Sequence, residues 1–254
     1  MAKDHSERLL NELMTAKKIS VQEAVDMLQV SKSTVRRIFI DLEKRGTVVR
    51  SYGGIQLVSP AGYSFDTQKK KFSKEKVRIG KAACEFVNAD DVIFIDAGTT
   101  SMNFAFQLSQ AIAKGEASVR SIFTNSIAVL DVFAGIASVN LIGGEYRLER
   151  KDFYGYLSEM VIARMHFTKC FLGTDGIINQ SGFAAKDFST ASMNTALLKN
   201  SSQCIVLTDH SKFASESYVE WASFGEINTV ITDVNLDQEY ATKLRNEGCR
   251  LILV

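Results

Sequence analysis

The chain has 254 residues but only one proline, three histidines and four cysteines. The cysteines are far apart and lie in or near apolar segments, which predicts reduced core residues rather than a disulfide framework or a metal site; they are Cys84, Cys170, Cys204 and Cys249. No histidine has an obvious partner for metal binding or nucleophilic catalysis. The sequence therefore indicates no metal and no cofactor.

Long apolar runs are also missing. The sequence contains no stretch of 18 apolar residues and no secretory signal peptide, so we expect a soluble, cytoplasmic protein with no membrane partner. With 46% hydrophobic residues, the chain can still bury a sizeable core, and its length leaves room for two domains.

Charge is distributed unevenly along the chain. Residues 1–81 contain 17 Lys and Arg against 9 Asp and Glu, a net charge of +8, whereas residues 82–254 contain 13 and 20, a net charge of −7. A basic end joined to an acidic body indicates a nucleic-acid-binding module attached to a domain with another task.

Residues 31–58 have the pattern of a basic recognition helix followed by a two-stranded wing. An apolar stripe of Val35, Ile38 and Leu42 begins just after Ser31, a candidate N-cap. We expect the helix to end at Gly46 and a hairpin to turn at Gly53-Gly54. A helix entering the major groove presents the residues of its first turns to bases and phosphates.

The preceding segment completes a helix-turn-helix at about residues 21–40. Ser20 and Glu23 have the spacing of a capping box before an apolar helix face. A first helix carrying Leu9, Leu10, Leu13 and Met14 supplies the rest of a small three-helix core. The predicted DNA-binding residues are Ser31, Lys32, Ser33, Thr34, Arg36, Arg37, Lys44, Arg45, Arg50 and Tyr52.

We predict three segments: a winged helix-turn-helix domain at 1–59, a linker at 60–76 and an α/β domain at 77–254. The only proline, Pro60, lies just past the wing, where an extended linker is expected. The basic run that follows has two open interpretations, a solvated helix face or a phosphate-contacting surface; it consists of Lys69, Lys70, Lys71, Lys74, Lys76, Arg78 and Lys81.

From about residue 77 the pattern changes to short apolar strands separated by helical stretches, which predicts a mainly parallel sheet covered on both faces. The predicted strands are Val92–Ile95, Val119–Phe123, Val139–Ile142, Lys169–Leu172, Cys204–Leu207, Thr229–Ile231 and Leu251–Val254. Ligands of such sheets bind beyond the carboxyl ends of the strands.

Polar loops follow five of these strands, and one of them opens a helix whose N-terminus suits an anion such as phosphate. Together they predict a partly cationic pocket for a phosphorylated sugar or polyol. Its candidate residues are Asp96, Gly98, Thr99, Thr100, Ser101, Thr124, Asn125, Gly143, Gly144, Arg147, Asp175, Gly176, Lys186, Asp209 and Lys212.

These motifs together resemble the DeoR family of bacterial sugar-operon regulators along nearly the whole chain. The resemblance is carried by Val30 to Arg37, Gly46, Tyr52-Gly53-Gly54, Asp96 to Thr100, Thr124-Asn125, Gly143-Gly144, Asp175-Gly176 and Asp209 to Phe213. It implies a winged helix-turn-helix joined to an α/β sensor domain similar to ribose-5-phosphate isomerase and CoA transferases. It also implies dimers or tetramers that bind double-stranded operator DNA, repress a catabolic operon and release DNA when a sugar phosphate binds.

The chain departs from the family pattern at two places. Family members commonly have Asp after the paired arginines, whereas Ile38 follows Arg36 and Arg37 here. After Gly182, where relatives often have adjacent glutamates, this chain has Ser189-Thr190, preceded by Lys186-Asp187. The first departure bears on the operator contacts and the second on the identity of the effector.

A rival interpretation is an enzyme, namely a sugar-phosphate isomerase or kinase with an N-terminal appendage. Asp96, Asp175 or Asp209 could serve as the general base of an isomerase, but binding or loop-stabilising roles are favoured for each. No G-x-x-x-x-G-K-[ST] phosphate loop is present. We therefore expect a regulator without enzymatic activity.

Overall fold

In the computed structural model, the described residues are 2–16, 18–44, 48–51, 53–57 and 64–254. The chain divides into two compact units, residues 1–68 and residues 69–254. Among the described residues, no helix is long and apolar enough to span a bilayer.

The first unit is a helix-turn-helix domain with a small β-sheet. Its elements are α1 (Ala2–Ala16), β1 (Lys18–Ser20), α2 (Val21–Leu28), α3 (Lys32–Lys44), β2 (Val48–Ser51) and β3 (Gly54–Leu57). Its core consists mainly of Leu9, Leu13, Ala24, Leu28, Val35, Phe39, Leu42 and Ile55. The predicted three-helix core is confirmed, although Met14 has its side chain outside the described part.

Two predicted helix starts are present. Ser20 caps α2 in a complete capping box, because its hydroxyl accepts the Glu23 N–H while the Glu23 carboxylate accepts the Ser20 N–H. The Ser31 hydroxyl accepts the Thr34 N–H at 3.2 Å and so caps α3. Helix α3 is described as far as Lys44, and Gly46 lies outside the described residues.

The wing differs from the prediction in two respects. It has three strands rather than two, in the order β1-β3-β2, with Ile19 paired to Ile55. The turn lies between Ser51 and Gly54, which pair with each other, so Gly54 belongs to β3 and not to the turn. A side chain at Gly54 would lie 2.2 Å from the Ile19 carbonyl oxygen, so glycine there permits the close approach of β1.

The second unit is built on a seven-stranded parallel sheet in the order β15-β14-β12-β9-β4-β5-β6. These strands are β4 (Val92–Ile95), β5 (Ser121–Thr124), β6 (Val139–Leu141), β9 (Phe167–Leu172), β12 (Ser201–Leu207), β14 (Thr229–Thr232) and β15 (Arg250–Leu253). Each corresponds to one of the seven predicted strands, which confirms the predicted fold class.

Six helices of the unit border this sheet or connect its strands. They are α5 (Ser73–Cys84), α6 (Thr99–Ala113), α7 (Ile127–Phe133), α8 (Tyr156–Ile162), α9 (Phe188–Lys199) and α10 (Gln238–Asn246). Helices α5 and α6 pack closely, since a side chain at Gly80 would meet the Phe104 backbone nitrogen at 2.7 Å. Two buried apolar clusters pack against the sheet, one containing Phe94, Phe167 and Trp221 and the other Ile79, Phe104 and Phe171.

Smaller strands complete the unit, and none of them was predicted. The hairpin β7 (Glu145–Arg147) and β8 (Asp152–Tyr154) is separate from an antiparallel sheet of β10 (Gly176–Ile178), β11 (Gly182–Ala185) and β13 (Val219–Ser223). Such three- to five-residue strands have no apolar run long enough to stand out in the sequence.

The expected linker at 60–76 contains helical structure. Helix α4 spans Phe65–Lys70, and α5 begins at Ser73. Pro60 and its neighbours lie outside the described residues. The domain limits 1–59, 60–76 and 77–254 stay a prediction.

Candidate DNA-binding surface and effector site

Helix α3 has one buried and one exposed face. Val35, Ile38, Phe39 and Leu42 are buried, whereas Lys32, Ser33, Arg36 and Arg37 are exposed. Within the described residues, neither Arg36 nor Arg37 forms an ion pair, so both guanidinium groups keep their donors for another partner.

Other predicted DNA-binding residues surround this face. The Ser31 hydroxyl lies 2.8 Å from the Ser33 hydroxyl and 2.9 Å from that of Thr34, so these three side chains form one polar cluster at the start of α3. Arg50, on β2, lies 3.7 Å from the Glu43 carboxylate and is about half exposed. The Lys44 side chain, Arg45 and Tyr52 lie outside the described part of the chain.

In the second unit, the strand order reverses direction between β4 and β9. From β4 the sheet continues through β5 and β6 on one side, and from β9 through β12, β14 and β15 on the other. At such a switch point the loops after the two strands run in opposite directions, so a crevice forms between them at the carboxyl ends of the strands. Ligands of α/β proteins bind in this crevice. The loops beginning at Asp96 and at Gly173 flank this crevice.

Asp96 joins these two loops. Its carboxylate accepts the Gly173 N–H at 2.7 Å and the Gly98 N–H at 3.0 Å. Burial raises the pKa of Asp96, although the surrounding donors oppose that effect. The side chain thus fixes the spacing between the end of β4 and the end of β9.

Helix α6 begins at this crevice. Gly98 is its N-cap and provides no side-chain cap, while Thr99, Thr100 and Ser101 are buried in its first turn. A helix N-terminus leaves N–H groups without intrahelical partners and carries a partial positive charge. This end of α6 is therefore suited to an anion.

Several predicted residues have structural partners in their own loops. The Thr124 hydroxyl donates to the Ile95 carbonyl at 2.7 Å, and the Asn125 amide donates to the Phe153 carbonyl at 2.9 Å. Gly144 and Gly176 lie so close to the neighbouring backbone that a side chain would collide, whereas Gly143 has open space. These contacts hold the loops in place beside the crevice.

Two arginines form an ion-pair network beside the crevice. Arg147 donates to both Asp152 carboxylate oxygens, at 2.9 and 2.6 Å, and to Asp187 at 2.9 Å. Arg150 donates to Asp175 at 2.7 Å and lies 3.4 Å from Asp187. Asp187 also caps α9 by accepting the Thr190 N–H. Each guanidinium group is thus neutralised by carboxylates of other segments.

Two predicted lysines differ from these arginines. Within the described residues, neither Lys186 nor Lys212 forms an ion pair closer than 4 Å. The Lys186 N–H donates to the Asp175 carboxylate, and Lys212 ends a short 3₁₀ helix that follows β12. Burial lowers the pKa of Lys212, while the charges of Asp175 and Asp209 oppose that shift. These ammonium groups are the cations least compensated in this region.

Lys76 is a buried cation that the sequence analysis did not assign to the site. It is 1% exposed, its Nζ donates to the Lys71 carbonyl at 2.8 Å, and it lies 3.7 Å from the Asp209 carboxylate. Burial, the largest effect, lowers the pKa of Lys76 to about 8, against the opposing charge of Asp209. For this residue the solvated-face interpretation of the basic run is wrong.

The candidate site residues did not include Lys76, Arg150, Asp152 and Asp187, although Asp187 was noted beside Lys186 where the chain departs from the family pattern. Arg150 follows Arg147 by three residues, which is the one local signal that it belongs to the same loop. Asp152 likewise lies only five residues from its partner Arg147, whereas Lys76 and Asp187 look like ordinary charged residues because Asp209 and Arg147 are distant along the chain. In the part of the chain that the structure describes, no group of His, Cys, Asp or Glu residues could hold a metal ion.

A helix-turn-helix unit with an exposed basic helix face, joined to an α/β unit with a polar crevice at its strand ends, defines the class of ligand-responsive, DNA-binding transcriptional regulators. The family follows from comparison with known proteins. Residues 6–61 match the DeoR-like helix-turn-helix domain, and residues 71–234 match the DeoR C terminal sensor domain. The chain belongs to the DeoR family.

Two relatives illustrate the similarity. The chain is 29% identical to the HTH-type transcriptional repressor GlcR of Bacillus subtilis, over 96% of this chain and 93% of that protein. It is also 29% identical to the lactose phosphotransferase system repressor of Lactococcus lactis, over 92% of each chain. A solved structure of ribose 5-phosphate isomerase A from Methanocaldococcus jannaschii is 18% identical, with a TM-score of 0.40, over 55% of this chain and 54% of that one.

We expect Lys76 to contribute a rise of about 3 kcal/mol to the free energy of unfolding of the second unit between about pH 8 and pH 10.5, measured as the difference in pH dependence between wild type and Lys76→Met, since burial of the Cys84 and Cys249 thiols acts in the opposite direction in both proteins. Because the pKa of Lys76 is lowered on folding, the unfolded chain binds a proton in this range that the folded chain has lost, so raising the pH favours folding. Urea unfolding followed by the fluorescence of Trp221, the only tryptophan, measures the change.

The variant Lys76→Met should lack this rise. Lys74→Met, which removes an exposed charge from the same helix, is the matched control and should keep it. An equal rise in wild type and in Lys76→Met would show that other groups produce the pH dependence.

Proposed function

We propose that this chain is a cytoplasmic repressor of a sugar or polyol catabolic operon, which binds double-stranded operator DNA and releases it when a phosphorylated sugar or polyol binds the second unit. One observation carries the proposal: the same chain has an exposed basic face on α3 and, at the strand ends of the second unit, a helix N-terminus and two lysines without a close ion-pair partner among the described residues. The first feature suits a nucleic acid and the second an anionic small molecule.

In a complex with DNA, the polar and basic residues at the start of α3 would contact base edges. Arg50, on the wing, would contact phosphates of the DNA backbone beside them. Arg36 and Arg37 are the strongest candidates, since an arginine can donate two hydrogen bonds to a guanine edge. The polar cluster of Ser31, Ser33 and Thr34 provides hydroxyls for phosphate oxygens beside them.

For the effector, the N-terminus of α6 with Gly98, Thr99 and Thr100 would hold the phosphate. Arg147 was a candidate for the positive charge of the pocket, but Asp152 and Asp187 already neutralise its guanidinium. We therefore assign the formal charge to Lys212, with Lys186 beside it. The carboxylates of Asp96 and Asp175 have further lone pairs that can accept hydrogen bonds from sugar hydroxyls.

We propose that the protein has no enzymatic activity. An isomerase needs a general base free to take a proton from its substrate. Of the three candidate carboxylates, Asp96 accepts two backbone N–H groups, Asp175 pairs with Arg150, and Asp209 pairs with Lys76. Each carboxylate is engaged in holding the loops, which favours a binding site over a catalytic one.

We also propose that the protein is a homodimer or homotetramer assembled through the second unit, because one recognition helix contacts few bases and operators are commonly read as repeated half-sites. A surface of that unit is unusually apolar. Helix α8 exposes Tyr156, Leu157, Met160 and Val161, and Phe188 at the start of α9 is 80% exposed. Of these residues, Phe188 also lines a groove of about 570 Å³ together with Glu159 and Lys199, so charges of both signs lie beside exposed apolar side chains, as suits a contact with a second copy.

We expect Arg36→Ala and Arg37→Ala each to weaken operator binding by about 1–3 kcal/mol, because each removes a base or phosphate contact. Fluorescence anisotropy with a duplex from the DNA upstream of the gene, at two salt concentrations, separates the two kinds of contact, since losing a phosphate contact also flattens the salt dependence. Arg120→Ala, which removes an exposed charge in the other unit, is the control. Wild-type affinity in both variants would mean that α3 is not the recognition helix.

We expect Thr99→Val/Thr100→Val to lower effector affinity, because the variant removes two hydroxyl donors at the N-terminus of α6. Calorimetric titration with glucose 6-phosphate, fructose 1-phosphate, fructose 6-phosphate and ribose 5-phosphate identifies a ligand, and Thr242→Val is a control on an exposed helix. Equal binding by wild type and the double variant would place the phosphate elsewhere. If no phosphate ester binds and none releases DNA, the sensor proposal is wrong.

We expect Leu157→Glu to shift the protein toward monomers in sedimentation, because it places a charge on the apolar face of α8. Val234→Glu, at an exposed apolar residue outside α8 and α9, is the matched control. A wild-type chain that sediments as a monomer at micromolar concentration would contradict the assembly itself. An oligomer that is unchanged in Leu157→Glu would exclude this surface.

A further inference from the structure

The start of the second unit contains a clamp in which Lys76 and Phe72, which no motif assigns to the effector site, contact Asp209 and His210. Helix α4 ends at Lys70 and α5 begins at Ser73, so the chain breaks its helical path at Lys71 and Phe72. The Lys76 ammonium closes this break by donating to the Lys71 carbonyl. The break lies only a few residues after the division between the two units at residue 68.

The same ammonium holds the loop that carries Lys212. Lys76 and Asp209 form an ion pair in which both side chains are at most 2% exposed. The other Asp209 oxygen accepts the Ser211 N–H and hydroxyl, which fixes the short 3₁₀ helix ending at Lys212. The Lys76 ammonium therefore contacts both the first residues of the second unit and the loop with Lys212, the residue proposed to bind the phosphate.

A second contact joins the same two segments. The Phe72 ring packs edge-on against the His210 ring, with ring centroids 4.9 Å apart. Phe72 has φ +51°, a left-handed conformation that a bulky residue adopts only when its surroundings hold it there. His210 is held in turn by the buried Asp233, whose carboxylate oxygens lie 2.9 and 3.0 Å from the ring Nδ1.

We propose that Lys76 is a positioning residue that couples effector binding to DNA release, by tying the Asp209–Lys212 loop to the segment 71–76 at the entry of the second unit. The inference rests on the proposed function. A dianionic phosphate drawn to Lys212 also acts on the nearby Asp209–Lys76 pair, because it repels the Asp209 carboxylate and competes with it for the Lys76 ammonium. The clamp thus has different energies with and without ligand, which is the condition for a ligand to shift a conformational equilibrium.

The alternative is that Lys76 only stabilises the fold. The two roles predict different results in a linkage experiment. A structural lysine changes the free energy of unfolding but leaves the effector's influence on DNA affinity unchanged. A coupling lysine changes that influence at unchanged effector affinity, since the coupling is a separate free energy between two sites.

The experiment measures the operator dissociation constant with and without saturating phosphate ester, using whichever of the four esters named above releases wild type. The ratio of the two constants is the coupling, ordinarily about 5- to 150-fold. We expect the ratio to fall toward 1 in Lys76→Met, while calorimetry shows effector affinity within about threefold of wild type, too small a change to account for a lost coupling. Lys74→Met, exposed on the same helix, should keep the wild-type ratio.

Phe72→Gly is the second variant and covers the case in which Lys76→Met does not fold. Glycine adopts φ +51° without strain, and Phe72 is partly exposed, so the fold should survive while the contact with His210 is lost. We expect a reduced coupling ratio here as well.

The outcomes are distinguishable. Wild-type coupling in folded Lys76→Met and in Phe72→Gly overturns the inference alone. Strongly reduced effector affinity in Lys76→Met, with full DNA release at saturation, would instead place Lys76 within the binding site and also overturn it. If none of the esters releases wild type from DNA, the proposed function fails and the inference fails with it.

Discussion

The second unit depends on the parallel pairing of β4 with β9. These strands are distant in the sequence, yet Ile93, Phe94 and Ile95 pair in register with Lys169, Cys170 and Phe171. This pairing sets the point where the strand order reverses and brings the loops at Asp96 and Gly173 to the same edge. The crevice and the approach of α6 to it follow from that register.

Electrostatics then decides which groups in the crevice remain available. Three carboxylates and two arginines form four ion pairs beside the β7–β8 hairpin, and these pairs hold three chain segments together. Buried pairs of this kind cost desolvation and contribute little net stability, but removing one member leaves an uncompensated charge. Lys186, Lys212 and the N-terminus of α6 are what an incoming anion would meet.

The strands of the parallel sheet and the starts of two helices could be predicted from the sequence. Runs such as Val92–Ile95 and Thr229–Thr232 are short, β-branched and apolar, as expected for strands covered on both faces, and Ser20 and Ser31 mark helix starts through local hydrogen bonds. Each of these signals depends on residues that are close together in the sequence, so it can be recognised without the fold.

The details that the sequence did not reveal depend on contacts between distant segments. Lys76 belongs to a run of seven basic residues and looks solvated, but the fold buries it against Asp209. Gly54 was expected in the wing's turn because β1 could not be foreseen as its neighbour. Arg150 and Asp187 likewise form an ion pair only because the fold brings the loop after β7 next to the start of α9.

The charge asymmetry of the chain finds a physical explanation in this arrangement. In the basic part, the exposed guanidinium groups of α3 remain unpaired within the described residues and keep their full attraction for phosphate. In the acidic part, Arg147, Arg150 and Lys169 are paired with aspartates, which lowers the attraction of these cations for nucleic acid. A small anionic ligand would still find donors there, because a helix terminus in a crevice concentrates a few N–H groups and hydroxyls at one point. The two units can thus each prefer a different phosphate compound while belonging to one nearly neutral chain.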